Sequence, residues 1–377
     1  MASNKIFNLF FILIINSLLN SNCEDYTISP IYPNDKYSNS IVLNLLHQEG
    51  IRRDPHIDYT CVVYDSDYNI IGTGSCFGNT LRCLAVSQEH RGEGLANKII
   101  SHLIQHQFER GNFHLFLYTK YTIYHLLKNL GFYEIVIIKD QIVFMENKKT
   151  GFSDYLNELS KSKLNYDSNT KKIAAIVMNG NPFTLGHLYL IEKASKENDI
   201  LHLFIFSEDK TIVPYNIRKK LIKEGTAHLK NIIYHDTGLY IISKETFPSY
   251  FQKDEKAVIE SHANIDIEIF VKIAKALNIN ARYLGEESNN SVLGIYNKLM
   301  EKKLKENGIE CSIVKRKEMD GDIISTSEVR KKIKEGNIEG IKNMVPESTY
   351  KFFISEEGKN LINKIKQMDD DSDIEHF

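Results

Sequence analysis

Apolar runs and amphipathic stretches alternate through the second half of the chain. The β-branched run Ile173–Met178 and the run Leu201–Phe206 predict strands buried on both faces of a sheet. Further strands are expected at 231–234, 281–285 and 309–314, and helices at 217–230, 265–277 and 292–306. This alternation predicts an open, doubly wound parallel sheet, whose ligands bind at the carboxyl ends of the strands.

A smaller α/β unit is predicted in the first half of the chain. Strands are expected at Tyr59–Tyr64, 70–73 and Leu81–Val86. A helix should follow, because apolar residues recur there at helical spacing. Its buried face would carry Ile99, Ile100, Leu103 and Ile104.

The polar, lysine-rich stretch between these regions predicts a linker that contains a short helix. The expected limits are an α/β domain at 24–147, a linker at 148–171, a second domain at 172–366 and an acidic tail at 367–377. The tail is expected to be disordered because it is acidic and polar. A length of 377 residues agrees with two domains, since it exceeds what one typical core supports.

The composition is that of a soluble globular protein, with 42% apolar and 25% charged residues. A formal net charge of −2 argues against a dedicated nucleic-acid binder, which would carry a strongly basic domain. The five cysteines show no Cys-x-x-Cys pair or Cys/His ligand spacing, so no metal ligand is assigned. Their odd number and wide scatter favour reduced thiols in a cytosolic protein.

The stretch after the strand 173–178 is the first candidate for chemistry. Gly180 and Pro182 break the strand pattern, and Thr184 opens a helical one. With Thr184 as the N-cap, His187 occupies the third helical position, beside unpaired N–H groups and the positive end of the helix dipole. These groups could share a bound phosphate. By residues alone, a capped helix with a solvent-facing histidine stays an equal alternative.

A second candidate is Ser325-Thr326-Ser327, just before a helical stretch at 328–334. An isolated triplet of this kind usually only caps a helix. Together with the first stretch it predicts a second phosphate cradle, in which Arg330 adds a forked cation. Arg218, from the second strand–helix connection, and Lys317, in a short basic run, are further candidates for phosphate contact.

A third candidate follows the strand 81–86 in the first domain. Arg91, Gly92, Gly94 and Ala96 lie between a predicted strand and a predicted helix. Glycines allow backbone N–H groups to approach a pyrophosphate closely, and the helix start contributes its dipole. This turn therefore predicts a site for a CoA-like pyrophosphate.

These stretches resemble known signatures. The run Gly180–His187 resembles the T/H-x-G-H signature of the nucleotidyltransferase superfamily, with Thr184 in place of the first His. Ile324–Arg330 resembles the I-S-S-T-x-x-R motif of the same superfamily, with the last Ser and Thr exchanged. Arg91-x-x-Gly94-x-Ala96 resembles the acyl-CoA motif of the GNAT acetyltransferases. The resemblances imply a GNAT-like α/β domain followed by a Rossmann-like nucleotidyltransferase domain.

A GNAT-like domain followed by a T-x-G-H domain resembles the citrate (pro-3S)-lyase ligase family. The resemblance implies that ATP, acetate and a thiol on the citrate lyase carrier subunit give AMP, pyrophosphate and an acetyl thioester, through acetyl-adenylate. The thiol belongs to a dephospho-CoA-derived prosthetic group, and Mg²⁺ is implied with ATP. No nucleic-acid partner is expected.

The resemblance also implies roles for the residues. The candidate catalytic residues are His187 and Thr184. The candidate ATP-binding residues are Gly180, Asn181, Pro182, Phe183, Gly186, Arg218, Ser325, Thr326, Ser327 and Arg330. The CoA-like prosthetic group is assigned to Arg91, Gly92, Gly94 and Ala96.

Three other functions stay open at this point. A nucleotidyltransferase that adenylates or cytidylates a small phosphorylated substrate would turn over nucleotide without acetate. An N-acetyltransferase acting through the first domain would consume acetyl-CoA and would not need His187. A non-enzymatic carrier-binding module is the third, and the motifs in both domains argue against it.

Residues 1–23 complicate the localisation. Lys5 precedes a short apolar core at 6–15, which is typical of a signal peptide and too short for a transmembrane helix. The segment is interpreted as an extension outside the fold, as a membrane-directing segment, or as an upstream start assigned in error. A cytoplasmic location is expected because a secreted enzyme would meet little ATP.

Overall fold

The computed structural model describes residues 26–166, 170–208, 211–241, 247–248, 250, 255–286, 292–316, 318–319 and 322–366. The chain forms two compact units: unit 1 comprises Met1–Gly151 and Pro248–Ser261, and unit 2 comprises Phe152–Phe247 and His262–Phe377. The sequence pattern did not predict that 248–261 belong to unit 1. The segment 1–23 and the acidic tail lie outside the described residues.

Unit 1 is built on a seven-stranded sheet with the order β1-β2-β3-β4-β5-β7-β6, in which β4 and β5 are parallel and the other neighbours antiparallel. The strands are β1 Thr27–Ile31, β2 Tyr59–Tyr64, β3 Ile70–Phe77, β4 Thr80–Val86, β5 Phe116–Lys120, β6 Tyr133–Ile138 and β7 Ile142–Glu146. The helices are α1 Lys36–Gln48, α2 Leu95–Glu109 and α3 Tyr124–Lys128.

The core of unit 1 forms where α2 packs against the sheet. The four apolar residues expected on the inner face of this helix are all buried, as predicted. Gly74 on β3 permits the close approach, because a Cβ there would lie 2.5 Å from the Cγ2 of Ile99 and 2.9 Å from the Cδ1 of Leu103. The glycine is therefore needed for helix–sheet packing.

β4 and β5 are paired over only a short distance. Thr80 pairs with Phe116 and Leu81 with Leu117, and no further pair joins the two strands in the described structure, although β4 continues to Val86. The register of β3 and β4 shifts beside this point, and Cys83 has a φ of +50°. The sheet thus opens into a cleft between two parallel strands.

Unit 2 contains a five-stranded, wholly parallel sheet with the order β10-β9-β8-β11-β12. These strands are β8 Ile173–Met178, β9 Ile200–Ile205, β10 Ile232–Asp236, β11 Ala281–Gly285 and β12 Glu310–Val314; a separate antiparallel pair is formed by β13 Glu318–Met319 and β14 Asp322–Ile323. The strand order reverses between β8 and β11. The doubly wound parallel sheet is confirmed, and this reversal is where such sheets bind ligands.

The helices that follow are α4 Gly151–Ser160, α5 Leu185–Glu197, α6 Tyr215–Gly225, α7 Glu255–Leu277, α8 Val292–Glu306, α9 Thr326–Lys334, α10 Glu347–Ile354 and α11 Glu356–Lys366. Four helix bounds differ from the prediction. α7 begins before 265 and α9 begins before 328, whereas α6 begins at Tyr215, before 217, and ends before 230. α6 stops at Gly225, where a Cβ would lie 2.7 Å from the Cε1 of Phe183. Among the described helices, none is long and apolar enough to cross a membrane.

Two buried histidines lie on neighbouring strands of unit 2. The Nδ1 of His202 is 2.7 Å from the Nε2 of His235, and the Tyr166 hydroxyl hydrogen-bonds the other nitrogen of His202. Burial lowers the pKa of His202 to about 3, helped by His235, and burial lowers the pKa of His235 to about 4. Both rings are therefore neutral in the native protein at pH 7.

This histidine pair predicts acid sensitivity of unit 2. Between about pH 6.5 and 4 the two histidines are protonated in the unfolded chain but stay neutral in the native protein. Their contribution to the unfolding free energy is therefore fully present above pH 6.5 and is lost as the pH falls. We expect the unfolding free energy to drop by at least about 1 kcal/mol between pH 7 and pH 5. Urea titrations followed by circular dichroism measure the unfolding free energy at each pH. His235→Asn should lose less unfolding free energy between pH 7 and pH 5. An equal pH dependence in this variant and the wild type would contradict the role assigned to the histidine pair.

Candidate active site

The turn after β8 brings the first motif to the strand end. Gly180 has a φ of +65°, and a Cβ there would lie 2.9 Å from the Cδ1 of Ile222, so glycine is required by conformation and space. The Asn181–Pro182 peptide bond is cis, and Phe183 is fully buried. Burial of Phe183 and the close packing at Gly180 fix the turn between the strand and the start of α5.

Thr184 is the N-cap of α5, and His187 is its third residue, as predicted. The Thr184 backbone N–H donates to the Nδ1 of His187 at 3.1 Å, and the Thr184 Oγ1 lies 2.9 Å from the same nitrogen. In return the His187 N–H donates to Thr184 Oγ1 at 3.4 Å. The reciprocal bonds hold the imidazole in one orientation at the helix start.

These bonds determine which imidazole nitrogen carries the proton. A backbone N–H can only donate, so Nδ1 of His187 accepts and the proton of the neutral ring resides on Nε2. Burial, together with the positive charge of Arg316, lowers the pKa of His187 to about 4. At pH 7 the ring is a neutral donor through Nε2–H beside the positive end of α5, an arrangement suited to an anionic oxygen.

The second motif starts another helix. Ser325 is the N-cap of α9, and its Oγ accepts the Glu328 N–H at 3.1 Å and lies 3.1 Å from the Oγ of Ser327. Thr326 is half-buried and Ser327 is exposed. The motif therefore presents hydroxyls and the first N–H groups of a capped helix.

The two motifs meet in space although the chain separates them widely. The Nη1 of Arg330 donates to the Asn181 carbonyl at 2.9 Å. A Cβ at Gly186 would lie 3.4 Å from the Ile324 carbonyl oxygen, so glycine allows the backbones to approach closely. The N-termini of α5 and α9 thus lie beside each other. They are at the end of β8, the strand that borders the reversal of strand order.

The predicted pyrophosphate turn of unit 1 has a suitable backbone. Gly92 and Gly94 have φ values of +93° and +79°, and Gly94 is the N-cap of α2, which carries Ala96 in its first turn. The Arg91 guanidinium is paired with the largely buried carboxylate of Glu49. The backbone of the turn therefore already has a conformation suited to a pyrophosphate, while the Arg91 side chain is paired with Glu49 of the same unit.

Comparison with known proteins decides the family. Residues 173–353 match the citrate lyase ligase C-terminal domain, and residues 16–134 match the acetyltransferase (GNAT) family. The chain is 37% identical to the citrate (pro-3S)-lyase ligase of Haemophilus influenzae, over 83% of this chain and 94% of the relative. For the Klebsiella pneumoniae protein of that name the values are 34%, 82% and 90%, and for the Escherichia coli protein 33%, 86% and 92%.

The chain belongs to the citrate lyase ligase family.

The resemblance inferred from the T-x-G-H and I-S-T-S-x-x-R stretches, and that of the first domain to GNAT acetyltransferases, are thereby confirmed. The individual residue roles stay predictions, and the geometry of this citrate lyase ligase family member bears on several of them.

Asn181 joins the first motif to the loop before α6. Its Oδ1 accepts the Val213 N–H at 2.9 Å, and its carbonyl accepts from Arg330. Its Nδ2 is buried and has no hydrogen-bond partner among the described residues. A buried amide donor without a partner is costly, so the predicted contact with a nucleotide oxygen would satisfy it.

Arg218 was predicted to contact phosphate, and the structure gives it other partners. The side chain is fully buried, and it donates to the carbonyls of Val213 at 2.9 Å, Asn179 at 2.8 Å, Phe206 at 3.0 Å and Glu208 at 2.5 Å. Its donors thus tie the turn after β8 to the loop after β9. This geometry favours a positioning role over direct phosphate contact.

Replacing Arg218 tests that interpretation. Arg218→Lys should lower the unfolding free energy by about 1–3 kcal/mol, because a lysine ammonium cannot donate to all the carbonyls that the planar guanidinium group reaches. The same change at the partly exposed Arg316 is the control and should cost less than about 0.5 kcal/mol. Urea unfolding at pH 7 measures both. Wild-type stability of Arg218→Lys would instead favour direct phosphate contact.

Arg316 also lies near the site, although no role was predicted for it from the sequence. It follows β12, its Nε donates to the Glu286 carbonyl at 2.9 Å, and its charge acts on His187. The only sequence signal was its place in a basic run after a parallel strand, at the ligand-binding edge of such a sheet. Lys317, which had been considered for phosphate contact, lies outside the described residues.

The described residues contain no group of three or more His, Cys, Asp or Glu side chains that could hold a metal ion. Mg²⁺ commonly binds through substrate phosphates with few protein carboxylates. The donors present, mostly N–H groups, hydroxyls and guanidinium groups, are those of a phosphate site.

Proposed function

We propose that this protein uses ATP to acetylate the thiol of the citrate lyase carrier subunit through acetyl-adenylate, releasing AMP and pyrophosphate. The observation that carries the proposal is the pair of helix N-termini beside one neutral, oriented histidine. Membership of the citrate lyase ligase family supports acetate and the carrier thiol as the other substrates.

In the first step, a carboxylate oxygen of acetate attacks the α-phosphorus of ATP. The new O–P bond forms as the bond to the pyrophosphate oxygen breaks, and no proton has to be removed because acetate is already an anion. The protein mainly positions the reactants and stabilises the growing negative charge. His187, through Nε2–H, and the start of α5, capped by Thr184, would hold the α-phosphate.

The leaving pyrophosphate would be held at the start of α9. Ser325, Thr326 and Ser327 supply hydroxyls and N–H groups, and Arg330, which reaches Asn181, connects the two cradles. Mg²⁺ shared between the phosphates would neutralise further charge. Gly180, Pro182, Phe183 and Gly186 would contribute by shaping the turn.

In the second step, the carrier thiol attacks the acetyl carbonyl of the adenylate. The S–C bond forms, the bond to the AMP oxygen breaks, and the thiol proton leaves to solvent. The thiol belongs to a dephospho-CoA-derived group, whose pyrophosphate suits the turn of unit 1. Arg91, Gly92, Gly94 and Ala96 would hold it and raise the local thiol concentration.

The test is acetate-dependent exchange of labelled pyrophosphate into ATP, followed by mass spectrometry of the carrier subunit. We expect exchange only with acetate, and a carrier that gains one acetyl group. Exchange without acetate would indicate a nucleotidyltransferase for another substrate. Consumption of acetyl-CoA with no exchange would indicate an N-acetyltransferase. Either outcome would overturn the proposal.

A further inference from the structure

Tyr250 lies against the cleft between β4 and β5. This residue comes from the segment Pro248–Ser261, which belongs to unit 1 although it follows much of unit 2 in sequence. The residue is 6% exposed, and its carbonyl accepts the Arg52 N–H at 2.6 Å. Both ends of the residue are thus fixed within unit 1.

The Tyr250 hydroxyl contacts both parted strands. It donates to the Tyr118 carbonyl of β5 at 3.1 Å. Burial raises the pKa of this hydroxyl, whereas a backbone hydrogen bond from Cys83 of β4 acts to lower it. The hydroxyl therefore satisfies an acceptor on β5 and lies beside Cys83 of β4.

This contact has a clear physical reason. Parallel strands that part leave backbone N–H and C=O groups without their ladder partners, and such groups need a substitute when buried. An extended, amide-bearing ligand could supply that substitute by pairing with the strand edges, as added strands do. Tyr250 supplies it from within the chain, so a ligand that pairs with the strand edges at this point would compete with the side chain for the Tyr118 carbonyl.

We propose that Tyr250 fills the place in unit 1 where the amide-bearing, thiol-terminated arm of a dephospho-CoA-type group would lie, so that the arm binds only by displacing it. The inference rests on the proposed role of the Arg91–Ala96 turn, which would hold the pyrophosphate end of the same group. Because the site is self-occupied, the apparent affinity for the arm equals the intrinsic affinity multiplied by the fraction of molecules in which Tyr250 is displaced.

The test is isothermal titration of the full-length protein with dephospho-CoA. Saturating α,β-methylene-ATP keeps the nucleotide site of unit 2 filled. We expect Tyr250→Ala to bind dephospho-CoA at least tenfold more tightly than wild type, and Tyr250→Phe, which loses only the hydroxyl bonds, at least threefold. ADP, which lacks the arm, should bind wild type and both variants equally. Adding Gly94→Val to Tyr250→Ala should abolish the gain, which locates the ligand in unit 1.

Tyr240→Ala is the matched control, since Tyr240 is a buried tyrosine of unit 2 that packs on Phe152 and Tyr155. It should leave dephospho-CoA affinity unchanged. If Tyr250→Ala fails to fold, Tyr250→Phe decides the matter. Equal affinity of wild type and the folded Tyr250 variants would overturn the inference, while normal acetate-dependent exchange would leave the proposed function standing. If Tyr250→Ala binds dephospho-CoA more tightly but acetate-dependent exchange is absent, the inference stands and the proposed function is overturned.

Discussion

His187→Ala should reduce acetate-dependent pyrophosphate exchange by roughly a hundredfold or more, as expected when one donor of a charge-stabilising site is removed. The backbone and hydroxyl of Thr184 orient the ring, and in the proposed site its Nε2–H would donate to the α-phosphate. Because the ring is neutral at pH 7, its contribution is a directed hydrogen bond at the end of a helix dipole. Alanine removes that bond and leaves the helix start in place.

The control for this variant is His228→Ala. His228 is a partly exposed histidine of unit 2, with its Nε2 3.0 Å from a carboxylate oxygen of Glu192. Exchange in His228→Ala should stay near the wild-type rate. Thermal unfolding of His187→Ala should match wild type within a few degrees. Near-normal exchange by a folded His187→Ala protein would remove His187 from the proposed chemistry.

The variant carrying Arg91→Ala and Gly94→Val should separate the two steps. Exchange needs only the two cradles of unit 2 and should remain near wild type. Acetylation of the carrier should fall by roughly a hundredfold, since the thiol loses the effective concentration that the turn provides. Valine is incompatible with the φ of +79° at Gly94, and alanine removes the charge of Arg91.

Gly111→Val is the matched control for backbone strain. Gly111 has a φ of +81° in unit 1, after the end of α2 and outside the predicted pyrophosphate turn. A similar loss of folding stability is expected, without loss of carrier acetylation. The steady-state rate is followed at several carrier concentrations, because loss of holding raises KM for the carrier more than it changes adenylate formation. Unchanged carrier acetylation by the double variant would contradict the hypothesis and indicate that unit 1 has only a structural role.

Local patterns determined much of the fold. The buried strand 173–178, the cap at Thr184 and the position of His187 follow from apolar runs, helix periodicity and capping, which act between residues close in sequence. The resemblance of the two domains to known families, in that order along the chain, indicated the citrate lyase ligase family. The helix bounds were less exact: α6 ended at Gly225, which packs closely against Phe183, a contact between residues distant in sequence.

Tertiary structure decided which groups the candidate residues contact. Arg218 was a reasonable phosphate ligand by position, yet its burial among four backbone carbonyls depends on loops that fold together from separate strands. The pKa of His187 depends in the same way on burial and on Arg316, far along the chain. The place of Tyr250 in unit 1 likewise required the chain to return there after much of unit 2. Sequence periodicity reports which face of an element is buried; partners, charge and desolvation arise only when distant elements pack.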